Sequence, residues 1–205
     1  MENFFRLPVE KQNIIIDAAL KCFDTNGYKK SSTSDIAIGA GISKSLIFHY
    51  FGTKKTLYLY LMDLCGKIFV NEFNEKFDNT VTDFFDRIML SIDIKISVMK
   101  KHPEILSFLA SMYYENDEEV KEEIKANLAK DGEIRSKIAF DGMDTSKFKD
   151  GIDPKLVMKM LVLLGEGYVS QPSIKSKIDI ETLYKEFDEY IKLLKSNFYK
   201  EEYSL

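Results

Sequence analysis

The stretch that decides the fold covers residues 27–57 and reads GYKKSSTSDIAIGAGISKSLIFHYFGTKKTL. Within it, Ser32 and Asp35 have the spacing of a capping box, in which a hydroxyl and a carboxylate three positions later satisfy N–H groups at a helix start. Gly41 allows the backbone to turn sharply, and Ser43 is a good cap for the next helix. Two short helices around a glycine turn predict a helix-turn-helix.

Longer amphipathic helices are predicted on both sides of this motif. Before it, apolar residues recur at helical spacing from residue 8 to residue 25, and Asn26-Gly27 stands where a helix can stop. After it, Thr53 can cap a long fourth helix, because the leucines at 57, 61 and 64 and Ile68 fall on one side. This fourth helix should run from the motif into the rest of the chain.

The remaining sequence also has helical spacing and no useful strand alternation. Residues 141–152 are predicted as a polar loop, and Gly132 leaves the far end of the seventh helix undefined. The fold class is therefore all-α, with about nine helices. The predicted later helices cover residues 80–100, 103–114, 116 onward, 154–170 and 180–198.

Charge is divided unevenly along the 205 residues. The net charge is −4, yet residues 1–56 carry eight Lys and Arg against five Asp and Glu, which leaves 21 against 28 for the rest. A mildly basic head on an acidic body fits an N-terminal segment that binds DNA phosphates.

Several other classes of protein lack support in the sequence. No apolar run approaches the roughly 18 residues of a membrane span, and the first residues have no signal-peptide pattern, so we expect a cytoplasmic protein. Cys22 and Cys65 form no cluster with His49 or His102, which favours core positions over the alternative of a redox sensor. We expect no metal, no cofactor and no catalytic residue.

The decisive stretch resembles the head of the tetracycline-repressor (TetR) family of bacterial transcriptional regulators. The resemblance covers about residues 10–60, and beyond residue 60 only the number and lengths of the helices are similar. The matching features, in order, are Gly27-Tyr28, Ser32 to Ala37, the Gly41-Ile42-Ser43 turn, Phe48 to Phe51, and Lys54.

The resemblance implies two domains. Residues 1–53 would be a three-helix DNA-binding head, and residues 54–205 a helical body for effector binding and dimerisation. The helix from Lys44 to Tyr50 would be the recognition helix, which lies in the major groove with its early side chains facing base edges.

The resemblance also implies DNA contacts for individual residues of the head. Lys44 can donate to guanine or to a phosphate, Leu46 can pack on a thymine methyl, and His49 can stack or hydrogen-bond. Tyr50 and Lys54 match the family's phosphate contacts, although Lys54 could instead be a solvated lysine. The expected DNA-binding residues are Ser32, Thr33, Ser34, Lys44, Ser45, Leu46, Phe48, His49, Tyr50 and Lys54.

Two positions depart from the family pattern, and others belong to the core. Many members have Tyr where this chain has Phe48, and many have a basic residue where it has Ser34, which leaves the operator sequence undefined. Ile42, Ile47 and Phe51 are expected to be core residues.

The resemblance places an effector pocket and a dimer interface in the body. Soft and aromatic side chains there imply a hydrophobic or amphipathic small molecule, although the same side chains could be ordinary core. The last two helices would form a homodimer, and a ligand would act by tilting the fourth helix. The candidate pocket residues are Phe69, Phe73, Phe85, Met89, Phe108, Met112, Tyr113 and Tyr168.

Two other functions remain open. A helical enzyme would need a set of catalytic residues, and the only suggestive acid in the sequence is Glu166 in an apolar helix. The sequence contains no Glu-x-x-His pair, no nucleophile elbow and no phosphate loop. A protein-binding module could keep the helix-turn-helix without reading an operator. The predicted function is a homodimeric, ligand-responsive regulator, expected to be a repressor, that binds palindromic double-stranded operator DNA.

Overall fold

The structure, a computed structural model, describes residues 1–169 and 180–204, except the side chains of residues 106, 168 and 169. Within these residues it contains α-helices and no strand, which confirms the all-α prediction. The helices are α1 (Glu2–Phe5), α2 (Val9–Lys30), α3 (Thr33–Gly39), α4 (Lys44–Phe51), α5 (Lys54–Lys76), α6 (Phe84–Lys101), α7 (Pro103–Met112), α8 (Lys121–Phe140), α9 (Pro154–Val169) and α10 (Ile180–Phe198).

The structure differs from the predicted elements in three places. A one-turn helix, α1, precedes the first predicted helix, because Phe4 is completely buried and anchors that turn. Helix α2 continues to Lys30, with a break at Gly27 where φ is 68° and ψ is 174°. Helix α8 begins at Lys121, five residues after the predicted start at residue 116, and it continues through Gly132 to Phe140.

Two of the three predicted helix caps are formed. The Ser32 hydroxyl accepts a hydrogen bond from the Asp35 amide at 3.0 Å and donates to the Asp35 carboxylate at 2.7 Å. The Thr53 hydroxyl accepts from the Thr56 amide at 3.0 Å at the start of α5. Ser43 occupies the cap position of α4 without a cap hydrogen bond, because its hydroxyl lies 2.8 Å from that of Ser45.

The chain forms two compact units. Unit 1 consists of Met1–Val70 and Met99–Ala129, so the predicted head of residues 1–53 lies within a larger unit that also holds α7. Its core contains a cluster of aromatic rings, with the Tyr58 ring centroid 4.9 Å from that of Phe23 and 5.3 Å from that of Phe108. The predicted core residues Ile47 and Phe51 are buried in it, and Ile42 packs against it.

Unit 2 consists of Asn71–Val98 and the described part of residues 130–205. Its core is a second aromatic cluster, in which the Phe148 ring centroid is 5.5 Å from that of Phe84 and 4.8 Å from that of Tyr199. Phe148 corrects the prediction of a wholly polar loop at residues 141–152, because its side chain is buried. Beside this core the buried Arg87 donates to the Ile138 and Val81 carbonyls at 2.8 and 2.6 Å.

The structure shows where the two cysteines lie and how long and apolar each described helix is. Cys22 and Cys65 are both buried in unit 1, as predicted for core residues, and burial raises the pKa of the Cys65 thiol to about 12. Over residues 1–169 and 180–204, no helix has the length and apolar character needed to cross a bilayer.

Candidate nucleic-acid interface

Helices α3 and α4 form the predicted helix-turn-helix. Gly41 has φ of 65°, a left-handed conformation that glycine adopts without a steric penalty. The turn is closed by backbone hydrogen bonds from the Gly41 amide to the Ile38 carbonyl at 3.1 Å and from the Ile42 amide to the Ala37 carbonyl at 3.0 Å. These bonds fix the direction in which α4 leaves α3.

Helix α4 has one buried and one exposed face. Ile47 and Phe51, four positions apart, point into the core, because side chains at i and i+4 share a helix face. The opposite face presents four of the predicted contact residues to solvent, and Phe48 on it is 44% exposed. These four exposed residues are Lys44, Ser45, Phe48 and His49.

The other predicted DNA contacts lie at the borders of this face. Leu46 and Tyr50 are half-buried on α4, and Ser32 and Ser34 are half-buried at the start of α3. Thr33 is the exception, since it is only 7% exposed and its side chain packs into the head. The DNA contacts assigned to these residues stay predictions.

Lys54 has an intramolecular role that the sequence did not indicate. Its ammonium donates to the Tyr28 carbonyl at 2.8 Å and to the Ser31 carbonyl at 3.3 Å, and it lies 4.1 Å from the Tyr28 ring centroid. A cation over an aromatic ring is favourable, and the two carbonyls belong to the end of α2. Lys54 therefore joins the start of α5 to the segment after Gly27, and its predicted phosphate contact stays a prediction.

Glu115, just after α7, holds the same segment from the other side. Its carboxylate accepts from the Tyr28 amide at 2.6 Å and from the Asp117 amide at 2.9 Å. A buried N–H without a partner is costly, so this carboxylate satisfies the amide that the break at Gly27 releases from the helix. The sequence contained no signal for this contact, because the two partners are 87 positions apart.

The N-terminal turn α1 packs on α4 and on α5. The ring centroid of Phe4 is 4.8 Å from that of Phe51 and 5.6 Å from that of Tyr60, while the Asn3 amide nitrogen is 2.9 Å from Nε2 of His49. Sequence analysis missed both residues, because a four-residue helix has no periodicity to detect.

The predicted pocket residues whose side chains the structure describes are distributed over the two units. Phe108 and Met112 are buried in the core of unit 1 and Phe69 packs against that core, while Phe85 is buried and Met89 packs in the core of unit 2. Phe73 is nearly buried, Tyr113 is 43% exposed, and the Tyr168 side chain lies outside the described residues. Their role as pocket residues stays a prediction.

A comparison with protein-family models identifies the helix-turn-helix segment. Residues 15–61, which include α3, α4 and the start of α5, match the model described as bacterial regulatory proteins, tetR family. Over these residues the chain is similar to the TetR family.

Relatives and solved structures extend this likeness beyond the head. The chain is 24% identical to the fatty acid metabolism regulator protein of Bacillus subtilis over 147 residues, which cover 72% of this chain and 75% of that protein. It superimposes on a TetR-like transcriptional regulator from Rhodococcus sp. RHA1 with a TM-score of 0.70 at 18% identity, covering 91% and 96% of the two chains. For FadR of Bacillus subtilis in complex with stearoyl-CoA the TM-score is 0.60 at 22% identity, covering 87% and 96%.

Proposed function

We propose that this protein is a homodimeric repressor of the TetR family that binds a palindromic operator through α4 and is released by an amphipathic effector. The observation that carries the proposal is the helix-turn-helix with an exposed α4 face of Lys44, Ser45, Phe48 and His49 above a buried apolar face. Such a helix fits the major groove of DNA, where these side chains can reach base edges.

The exposed apolar faces of α9 and α10 support a dimer. Large apolar side chains that are exposed in one subunit at helical spacing are typical of a surface that a second copy covers. Gly165 lies against Phe187 of the same chain, 3.5 Å from a Cβ built at this position, so α9 and α10 pack closely within the subunit. The exposed residues are Leu156, Met160, Leu163 and Leu164 on α9 and Tyr190 and Leu193 on α10.

Capture of genomic fragments by the purified protein tests operator binding. We expect one approximately two-fold symmetric sequence whose half-sites are about 34 to 36 Å apart, or slightly more, because two α4 helices must enter successive major grooves. Binding to this sequence should exceed binding to shuffled DNA by at least about 10³-fold at physiological salt. Equal, weak binding to both DNAs would instead support the protein-binding module.

For the effector, we propose a long-chain acyl thioester such as stearoyl-CoA, which is the ligand in the complex of FadR from Bacillus subtilis. A cleft of about 280 Å³ between α8 and α9 of unit 2 is large enough for part of such a ligand. Phe140, Met158 and Val162 give it apolar walls, while Arg135, Lys155 and Lys159 give it positive charge. Anionic groups bind well to guanidinium and ammonium groups, and apolar walls suit methylene groups.

Arg135, which lines this cleft, lies near a second cation, Lys95, and near the Asp131 carboxylate. Among the described residues, no partner reaches the buried Nε of Arg135. Desolvation and the nearby Arg135 guanidinium lower the pKa of Lys95 to about 8, and Asp131 opposes that shift. An anionic ligand would relieve the repulsion between two partly buried cations.

Helices α5, α6 and α8 contribute residues to both units and can carry the effect of a ligand to the head. Helix α8 contains Arg135 in unit 2 and Glu123 in unit 1, where the Glu123 carboxylate is 2.6 Å from the Lys55 ammonium at the start of α5. We propose that a ligand shifts α8 and α5 together and thereby changes the position of α4.

Calorimetric titration of the protein with stearoyl-CoA tests this control. We expect the ligand to bind about 5- to 150-fold more weakly when operator DNA is present, because coupling between two sites is reciprocal. Arg135→Gln should weaken ligand binding about 10- to 100-fold, since a hydrogen bond to a charged group contributes about 1.5–3 kcal/mol.

The matched control is Lys185→Gln, which removes one positive charge from α10 outside the cleft and should leave ligand affinity unchanged. Equal ligand affinities with and without operator would show that the ligand does not control the head. An equal loss in both variants would place the ligand elsewhere in the protein.

A further inference from the structure

The N-terminal turn α1 is rigidly attached to the recognition helix. Phe4 is completely buried, and its ring lies near those of Phe51 at 4.8 Å, Tyr60 at 5.6 Å and Tyr50 at 6.2 Å between centroids. Aromatic rings at these separations attract each other. Asn3, the preceding residue, is therefore held in place beside α4 although its own side chain is exposed.

The contact between Asn3 and His49 joins two side-chain nitrogens. The Asn3 amide nitrogen Nδ2 lies 2.9 Å from Nε2 of the His49 ring. An amide nitrogen can only donate, so Nε2 must accept and carry no proton. A neutral imidazole has one N–H, which then stands on Nδ1.

We propose that Asn3 is a positioning residue that makes His49 a hydrogen-bond donor, through Nδ1, toward DNA. This inference rests on the proposed operator binding of α4. With Nε2 occupied, the ring can donate to guanine O6 or N7, adenine N7, thymine O4 or a phosphate oxygen. The ring then cannot accept a hydrogen bond from the amino groups of cytosine or adenine. Asn3 therefore reduces the number of bases that His49 can recognise.

The first step of this proposal is that Asn3 sets which nitrogen of the His49 ring carries the proton. It can be tested in the protein without DNA. Long-range proton–nitrogen NMR spectra at pH 8 distinguish a protonated Nδ1 from a protonated Nε2. We expect His49 with its proton on Nδ1 in the native protein. In Asn3→Ala the Nε2–H form should appear, because nothing then donates to Nε2.

The matched control is Asn13→Ala, the same substitution at an exposed position of α2. It should leave the His49 signals unchanged, and both variants should unfold at the native temperature because both side chains are exposed. His49 signals that are identical in Asn3→Ala and the native protein would overturn the inference.

Selection of bound sequences from a random DNA pool tests the second step. At one base pair of each half-site, the preference of Asn3→Ala for the selected base should be about tenfold weaker than that of the native protein. The double variant Asn3→Ala/His49→Ala should select the same sequences as His49→Ala alone, because Asn3 acts only through the ring. Independent, additive changes in preference would overturn the proposed role.

The two steps separate this inference from the proposed function. If the native protein selects no sequence at all, the regulator proposal fails, while the NMR spectra still decide whether Asn3 sets the ring. If the native protein selects an operator and Asn3→Ala selects the same bases with equal preference, only the Asn3 inference fails.

Discussion

Glutamate at both Leu163 and Leu193 should convert the protein to a monomer and lower its operator affinity about 10²- to 10⁴-fold, because two linked heads bind far better than one. Leu163 is 56% and Leu193 62% exposed in the single subunit. A carboxylate at these positions remains solvated in the monomer and is buried only in the proposed dimer, where its desolvation is costly. Sedimentation velocity measures the assembly, and titration of labelled operator measures the affinity.

The control for added charge is Thr145→Glu with Ser146→Glu, two exposed positions in the loop between α8 and α9. This variant gains the same two negative charges and should remain a dimer with native operator affinity. A Leu163→Glu/Leu193→Glu protein that is still dimeric would contradict the interface assigned to α9 and α10.

Alanine at Gly27 should lower the free energy of unfolding by about 1–3 kcal/mol, because its φ of 68° with ψ of 174° lies in a region that only glycine adopts without strain. An added Cβ would also lie 3.1 Å from the Glu115 carboxylate oxygen Oε2, which accepts the Tyr28 amide hydrogen bond. Urea unfolding followed by circular dichroism measures the loss.

Gly66→Ala is the matched control in the same unit. Gly66 lies within α5, and a Cβ there meets no atom within 4 Å. Because alanine is the better helix former, this variant should gain about 0.5–1 kcal/mol. The same substitution would then change the free energy of unfolding in opposite directions at two glycines of one unit. A Gly27→Ala protein as stable as Gly66→Ala would disprove the strain at Gly27.

Features determined by short-range spacing could be predicted from the sequence. The cap at Ser32, the turn at Gly41 and the start of α5 at Thr53 each depend on residues within four positions of one another, and all three are present. The starts of α7 and α9 were also predicted, since Pro103 and Pro154 begin these helices. Proline suits the first turn of a helix, which makes such starts visible in a sequence.

Features that depend on long-range contacts could not be predicted. Nothing near Phe148 indicates that this residue of a polar loop packs on Phe84 and Tyr199. The partners of Lys54 are backbone carbonyls more than 20 positions away, and a backbone atom leaves no mark in the sequence. Local patterns therefore located the helix-turn-helix, while the contacts that hold it required the folded chain.

The hydrogen bond between the Tyr28 amide and Glu115 has a consequence for how the protein is made. Synthesis on the ribosome proceeds from the N-terminus, so all of α2 to α5 emerges before α7 and Glu115 exist. Until then the Tyr28 amide has no carboxylate partner, and the Phe23 and Tyr58 rings lack Phe108 beside them. The head of the nascent chain thus stays incomplete until Glu115 has been translated, and expressing residues 1–60 alone would reproduce only that unfinished state.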